Sequence, residues 1–147
     1  MEVVITYKTK SRLVLSTKEL DYIFSTIAKG EKKKITTVSV TLMTPLMIAK
    51  INKQYRGKNK ATDILSFPDG EYGQAGDLLL CPSYIKTKAQ EYGHSLRQHY
   101  TLLCIHGMLH LLGYDHIKDK DFAVMKKRED HYFKKVKKNL RLSSLNY

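Results

Sequence analysis

A chain of 147 residues with 42% hydrophobic and 27% charged side chains buries about 68–70% of its unfolded surface when it folds, which excludes wholesale disorder and removes any need for disulfide staples. Twenty-six Lys and Arg against fourteen Asp and Glu give a net charge of +12, which favours a polyanionic partner, either nucleic acid or an anionic membrane surface. Apolar runs such as Leu78-Leu79-Leu80-Cys81 fall far short of the roughly 20 residues that span a bilayer, so no membrane segment is expected.

The N-terminal stretch Val3–Tyr7 is β-rich and reads as a first strand, not as a basic region followed by an apolar leader. A cytoplasmic protein is therefore expected. Ser16 followed by Glu19 forms a capping box, and Leu20, Ile23, Phe24, Ile27 and Ala28 then keep helical spacing up to Gly30. Ile35 to Leu42 is dominated by β-branched residues, with Val38, Val40 and Leu42 alternating against Thr and Ser, which predicts a strand. Thr44-Pro45 is a helix start with a hydroxyl at the cap and proline at the first position. That helix carries Leu46, Ile48, Ile51 and Tyr55 and ends near Gly57. Ile64–Phe67 and Leu78–Cys81 are short strands, and the glycine-bearing segment between them suits a hairpin or a crossing loop. Helices are predicted after Pro82, from about Ser95 to Leu112, and from about Asp119, the last presenting Phe122, Met125, Tyr132, Phe133 and Val136. The order β-α-β-α-β-β-α-α-α predicts a single domain with a small mixed four-stranded sheet covered by helices, an α/β or α+β sandwich, of which α+β is the expected class.

Two cysteines, Cys81 and Cys104, each lie in an apolar stretch and read as buried thiols. Lys29 with Lys32, Lys33 and Lys34, and the eight Lys or Arg between Lys126 and Arg141, form two basic clusters. Each is either a solvated surface or a phosphate-binding one. Tyr132 and Phe133, set among basic residues, suit core packing or stacking on a nucleobase, with packing favoured.

The informative segment is His106-Gly-Met-Leu-His110-Leu-Leu-Gly113-Tyr-Asp-His116. His106 and His110 stand at i and i+4 and project from one helical face. Gly113 can stop the helix through a left-handed turn, which lets His116 swing back toward the same point. Three imidazoles on one zinc ion leave a fourth position open, as in a catalytic site and unlike a closed structural one. The spacing is that of the metzincin peptidases, which predicts a zincin-like metal site. Those enzymes need a glutamate after the first histidine as general base, and Gly107 stands there instead. Peptide hydrolysis therefore lacks its water-activating carboxylate.

From His106 to His116 the segment resembles the YbeY-type endoribonucleases of bacterial ribosomal RNA maturation, matching H-G-x-L-H-L-x-G-Y-D-H at every fixed position. The resemblance extends upstream to Ile51-Asn-Lys-Gln-Tyr-Arg56-Gly, Ala61-Thr62-Asp63-Ile64-Leu65-Ser66-Phe67-Pro68 and Gly76-Asp77. It implies zinc-dependent cleavage of single-stranded RNA, 3′-end processing of small-subunit ribosomal RNA, ribosome quality control, and association with the ribosome or its small subunit. It also implies a role for Arg56, whose planar donor fork suits the charge that builds on phosphoryl oxygens. Two departures stand out: Ala61 where the family usually has proline, and Gln98 where a glutamate usually follows Arg97. The second removes a carboxylate that could have supported the metal ligands, so Gln98 is given no catalytic role.

Lesser candidates accompany these. Asp115 either orients His116 or caps the following turn. Asp63 and Ser66 lie in a matched strand segment near the expected cleft, where Thr62-Asp63 equally suits turn chemistry. His99, seven residues and about 10.5 Å along the helix from His106, is too far for the same ion and is expected to line a groove or lie exposed. The attacking group is either water or the neighbouring 2′-OH, and the general base is unassigned. A zinc-stabilised, non-catalytic ribosomal RNA assembly factor is the alternative function, and metal-dependent hydrolysis of another substrate a remoter one.

Overall fold

The computed structural model describes residues 1–71, 73–115 and 119–142. Four strands, β1 (Glu2–Tyr7), β2 (Thr37–Leu42), β3 (Ile64–Pro68) and β4 (Gln74–Leu80), form one mixed sheet in the order β1-β2-β4-β3. The pairs β1–β2 and β2–β4 are parallel and β3–β4 is antiparallel. Five helices accompany them among the described residues: α1 (Thr17–Gly30), α2 (Pro45–Arg56), α3 (Pro82–Tyr92), α4 (Leu96–Leu111) and α5 (Asp119–Val136).

The expected α+β class, mixed four-stranded sheet and element order all hold. The third and fourth strands form a hairpin, and β4 begins four residues earlier than its apolar run, at Gln74. Gly76 explains the extension. A Cβ on it would stand 2.2 Å from the Phe67 carbonyl oxygen, and its φ of +136° lies where side chains are strained. Glycine thus lets the two strands close together at their turn end.

Local chemistry starts the helices where the sequence places them. Ser16 and Glu19 make both bonds of the capping box on α1. Thr44 caps α2 with Pro45 behind it, and Gly57 ends it in the left-handed region.

Alternation decides the layers. On β2, Val38, Val40 and Leu42 are fully buried while Thr37, Ser39 and Thr41 are partly open. On β4, Leu78 and Leu80 join the larger core with residues of α1, α3, α4 and α5. Leu79 faces the other way, into a smaller cluster with Leu65 of β3 and Ile48 of α2. The sheet therefore carries α2 on one face and the remaining helices on the other.

Helix α4 is the pivot of the larger layer, packing against α1, α3, α5, β3 and β4. It is buried on most sides, with Tyr100, Cys104, Ile105, Met108 and Leu109 at 0–1% exposure, as a helix apolar nearly all round must be. Both cysteines are buried free thiols, and burial pushes the Cys104 thiol up to about 12. Tyr132 and Phe133 belong to the core, so stacking on RNA is excluded for them, whereas Phe122 on the same helix is exposed. No helix among the described residues is long and apolar enough to cross a membrane.

Candidate metal centre

One turn of α4 separates His106 from His110, and their Nε2 atoms approach to 3.1 Å. Two nitrogens sharing one tetrahedral zinc at about 2.0–2.1 Å would stand about 3.3 Å apart. The pair is thus already spaced as two ligands of one ion. The remaining ring nitrogen of His106, Nδ1, lies 3.0 Å from Glu129 Oε1 on α5. An ionised carboxylate only accepts, so the His106 proton belongs on Nδ1 and the lone pair on Nε2. A carboxylate behind a ligating imidazole is the usual means of fixing its tautomer and raising its basicity.

The donor set therefore fits a transition metal that takes imidazole nitrogen. His116, the third expected ligand, lies outside the described residues. No cluster of three metal-binding side chains occurs among the residues that are described.

Glu129 was not singled out in the sequence, where it reads only as one acid in a basic run. Gln98, which offers no carboxylate, has a structural task instead. It occupies the third position of α4 and completes a capping box with Ser95, its Oε1 accepting from the Ser95 N–H at 3.2 Å. The amide performs that task as well as a carboxylate would, and the site takes its carboxylate from α5.

Gly107 also has a steric reason. A Cβ there would meet Leu78 Cδ2 at 2.7 Å and Ile64 Cδ1 at 2.8 Å. The position that carries glutamate in metzincins is the point where α4 presses on β3 and β4, so a side chain there would have to displace the ends of Leu78 and Ile64.

The two histidines open into a cleft of about 690 Å³ between α4, the edge strand β3 and the end of α2, within the range of small-ligand sites. Tyr55 and Arg56 come from α2, Thr62 to Pro68 from β3 and its approach, and Gly113, Tyr114 and Asp115 from the turn after α4. Arg56, exposed in the last turn of α2, thus shares the cleft with the histidine pair. Buried Asn52 donates to the Lys60 carbonyl at 3.0 Å, holding the loop between α2 and β3. Asp63 accepts from the Ile64 N–H at 2.8 Å and from the Thr62 hydroxyl at 3.3 Å, which is turn chemistry at the cleft wall. Ser66 and Asp115 line the same cleft, from β3 and from the turn after α4.

His99 departs from expectation. It is 6% exposed and neither lines the cleft nor faces solvent. Its ring stacks on Tyr92, with centroids 5.9 Å apart, and its Nδ1 lies 3.3 Å from that of His94. Burial and the neighbouring His94 hold its pKa below the usual histidine range.

The turn beyond His110 is braced from a distance. Gly113 takes φ of +105°, which reverses the chain, and the Tyr114 hydroxyl donates to Glu31 Oε1 at 2.5 Å. The Tyr132 hydroxyl donates to the other carboxylate oxygen, and Arg128 stands 3.7 Å away. Burial works against the Glu31 charge, but these two hydrogen bonds and Arg128 outweigh it and hold its pKa below the usual carboxylate value. A depressed folded-state pKa stabilises the fold above the unfolded value, about 4.3, and that stability is lost as pH falls through the folded value. Glu31→Gln is therefore expected to cost about 1.5–3 kcal/mol at pH 7. Urea denaturation at stepwise lower pH should show the gap to wild type closing below about pH 4.

Fold and cleft together define the class: an α+β protein whose central helix aims two histidines into a groove shared with an arginine. The Endoribonuclease YbeY family matches the chain over residues 5–137. An Endoribonuclease YbeY of Buchnera aphidicola subsp. Acyrthosiphon pisum is 40% identical over 105 residues, covering 68% of each chain. One from Legionella pneumophila strain Corby is 35% identical over 128 residues, covering 82% of this chain and 80% of its own. The solution structure of TM1509 from Thermotoga maritima superposes with a TM-score of 0.67 at 29% identity, over 95% of this chain and 92% of that one. The chain belongs to the YbeY endoribonuclease family.

Proposed function

We propose that this protein is a zinc-dependent endoribonuclease that cuts single-stranded RNA during ribosomal RNA processing, including 3′-end maturation of small-subunit RNA. Ribosome quality control, association with the ribosome or its small subunit and a cytoplasmic location belong to the same reading. The observation that supports it best is the convergence of the His106 and His110 Nε2 atoms, 3.1 Å apart, in a cleft that also holds Arg56. His106, His110 and His116 would hold one zinc ion in a zincin-like arrangement, a helical pair and a third histidine after the turn.

A bound zinc would supply Lewis acidity toward a phosphoryl oxygen and lower the pKa of water at its open position to about 7. The chain's own residues do the rest. Glu129 keeps the His106 lone pair aimed into the cleft. The Arg56 guanidinium donates to the phosphoryl oxygens and stabilises the charge they gain in the transition state. Lys50, Lys53, Lys58 and Lys60, all exposed on α2 and the loop after it, neutralise flanking phosphates without reading sequence.

Removing zinc from the wild-type protein with a chelator should abolish cleavage of a labelled single-stranded RNA while leaving its binding in place, and added zinc should restore it. Full-rate cleavage after verified zinc removal would overturn the metal-dependent reading. A zinc-loaded protein that binds RNA and never cuts it would be an assembly factor and no enzyme.

A further inference from the structure

The same cleft carries two aromatic rings that the chemistry above does not use. Tyr55 precedes Arg56 on the last turn of α2 and is 65% exposed. Phe67 of β3 is half-buried against the smaller core cluster. The rings meet edge-on, centroids 5.2 Å apart and planes at 65°, and both line the cleft. Phe67 is anchored by the sheet, and Tyr55 rests edge-on against it with its ring largely open to solvent. An exposed ring resting on a sheet residue beside a cationic groove has the form of a platform for another flat, apolar-faced group.

In an RNA-cleaving site that group is a nucleobase. Every base has a π-face, so stacking is tolerant of sequence, and a base locked in a duplex cannot offer that face to a protein ring. Arg56, next in the chain, takes the adjoining phosphate, so base and phosphate of one strand meet neighbouring side chains.

We propose that Tyr55, supported by Phe67, forms a stacking subsite for one unpaired nucleobase of an RNA strand whose neighbouring phosphate lies against Arg56 and the histidine pair. This deepens the endoribonuclease reading and rests on it. The subsite makes the cleft prefer unpaired RNA through the enzyme's own side chains.

The test is equilibrium binding of the full-length, zinc-stripped protein, which is unable to cut, to short single-stranded RNAs. Each RNA carries one 2-aminopurine or one abasic position, moved along the strand. The chain has no tryptophan, so 2-aminopurine can be excited alone. At one position relative to the cleavage site of the zinc-loaded enzyme, fluorescence should change sharply on binding, and an abasic nucleotide should weaken binding about 5- to 150-fold. Tyr55→Leu should lose both effects at that position with an unchanged melting temperature, since the ring is exposed. Tyr55→Phe, which keeps the ring and adds no tryptophan, should keep them. Abasic nucleotides that weaken wild type and Tyr55→Leu equally at every position would overturn the subsite and leave the endoribonuclease reading intact. Failure of the wild type to bind or cut any single-stranded RNA would overturn both.

Discussion

Replacing Arg56 by alanine at matched zinc content is expected to slow RNA cleavage by about 10²–10³-fold, roughly 2.7–4 kcal/mol of transition-state stabilisation, as deleting an oxyanion donor does elsewhere. Arg56 is exposed at the end of α2, so the substitution should leave the melting temperature nearly unchanged while the loss falls on chemistry. The guanidinium fork can donate two parallel bonds to a phosphoryl group, which an ammonium cannot. Arg56→Lys should therefore recover only part of the rate. Single-turnover cleavage of one labelled RNA by the three proteins measures this. Equal rates for wild type and Arg56→Ala would remove Arg56 from the site.

Glu129→Ala is expected to weaken zinc binding by about 10–100-fold, the usual cost of losing the partner of a ligating histidine. The carboxylate holds the proton on His106 Nδ1. Without it the ring can rotate, and its Nε2 can carry the proton that blocks coordination. Glu129→Gln keeps an acceptor and should lose less. Competition against a chromophoric chelator gives the affinities, and excess zinc should restore cleavage to Glu129→Ala. A variant with a lowered melting temperature but wild-type zinc affinity would make Glu129 a purely structural link between α4 and α5.

Much of this was legible in the sequence because it is local. A capping box spans three residues, as at Ser16 and Glu19, and a histidine pair on one helical face spans four. Both distances are set by helix geometry alone, so His106 and His110 converge as their spacing predicts. The strand alternation of Val38, Val40 and Leu42 likewise reports which face is buried. The start of β4 was missed because Gln74 to Gly76 has no apolar pattern, and its pairing depends on a close approach to Phe67 and Pro68.

By itself, the sequence determined the class of fold, the order of the elements, the histidine pair and, through its motifs, the family. Only the tertiary structure decided what stands behind those residues. Glu129 reaches His106 across 23 positions, and Glu31 braces Tyr114 across 83. His99 is buried beside Tyr92 and His94, and Gly107 lies where the side chains of Leu78 and Ile64 press on α4. No periodicity carries such pairings, because periodicity records which face of an element is apolar. Which residue of another element meets that face is settled by how the helices and sheet pack together.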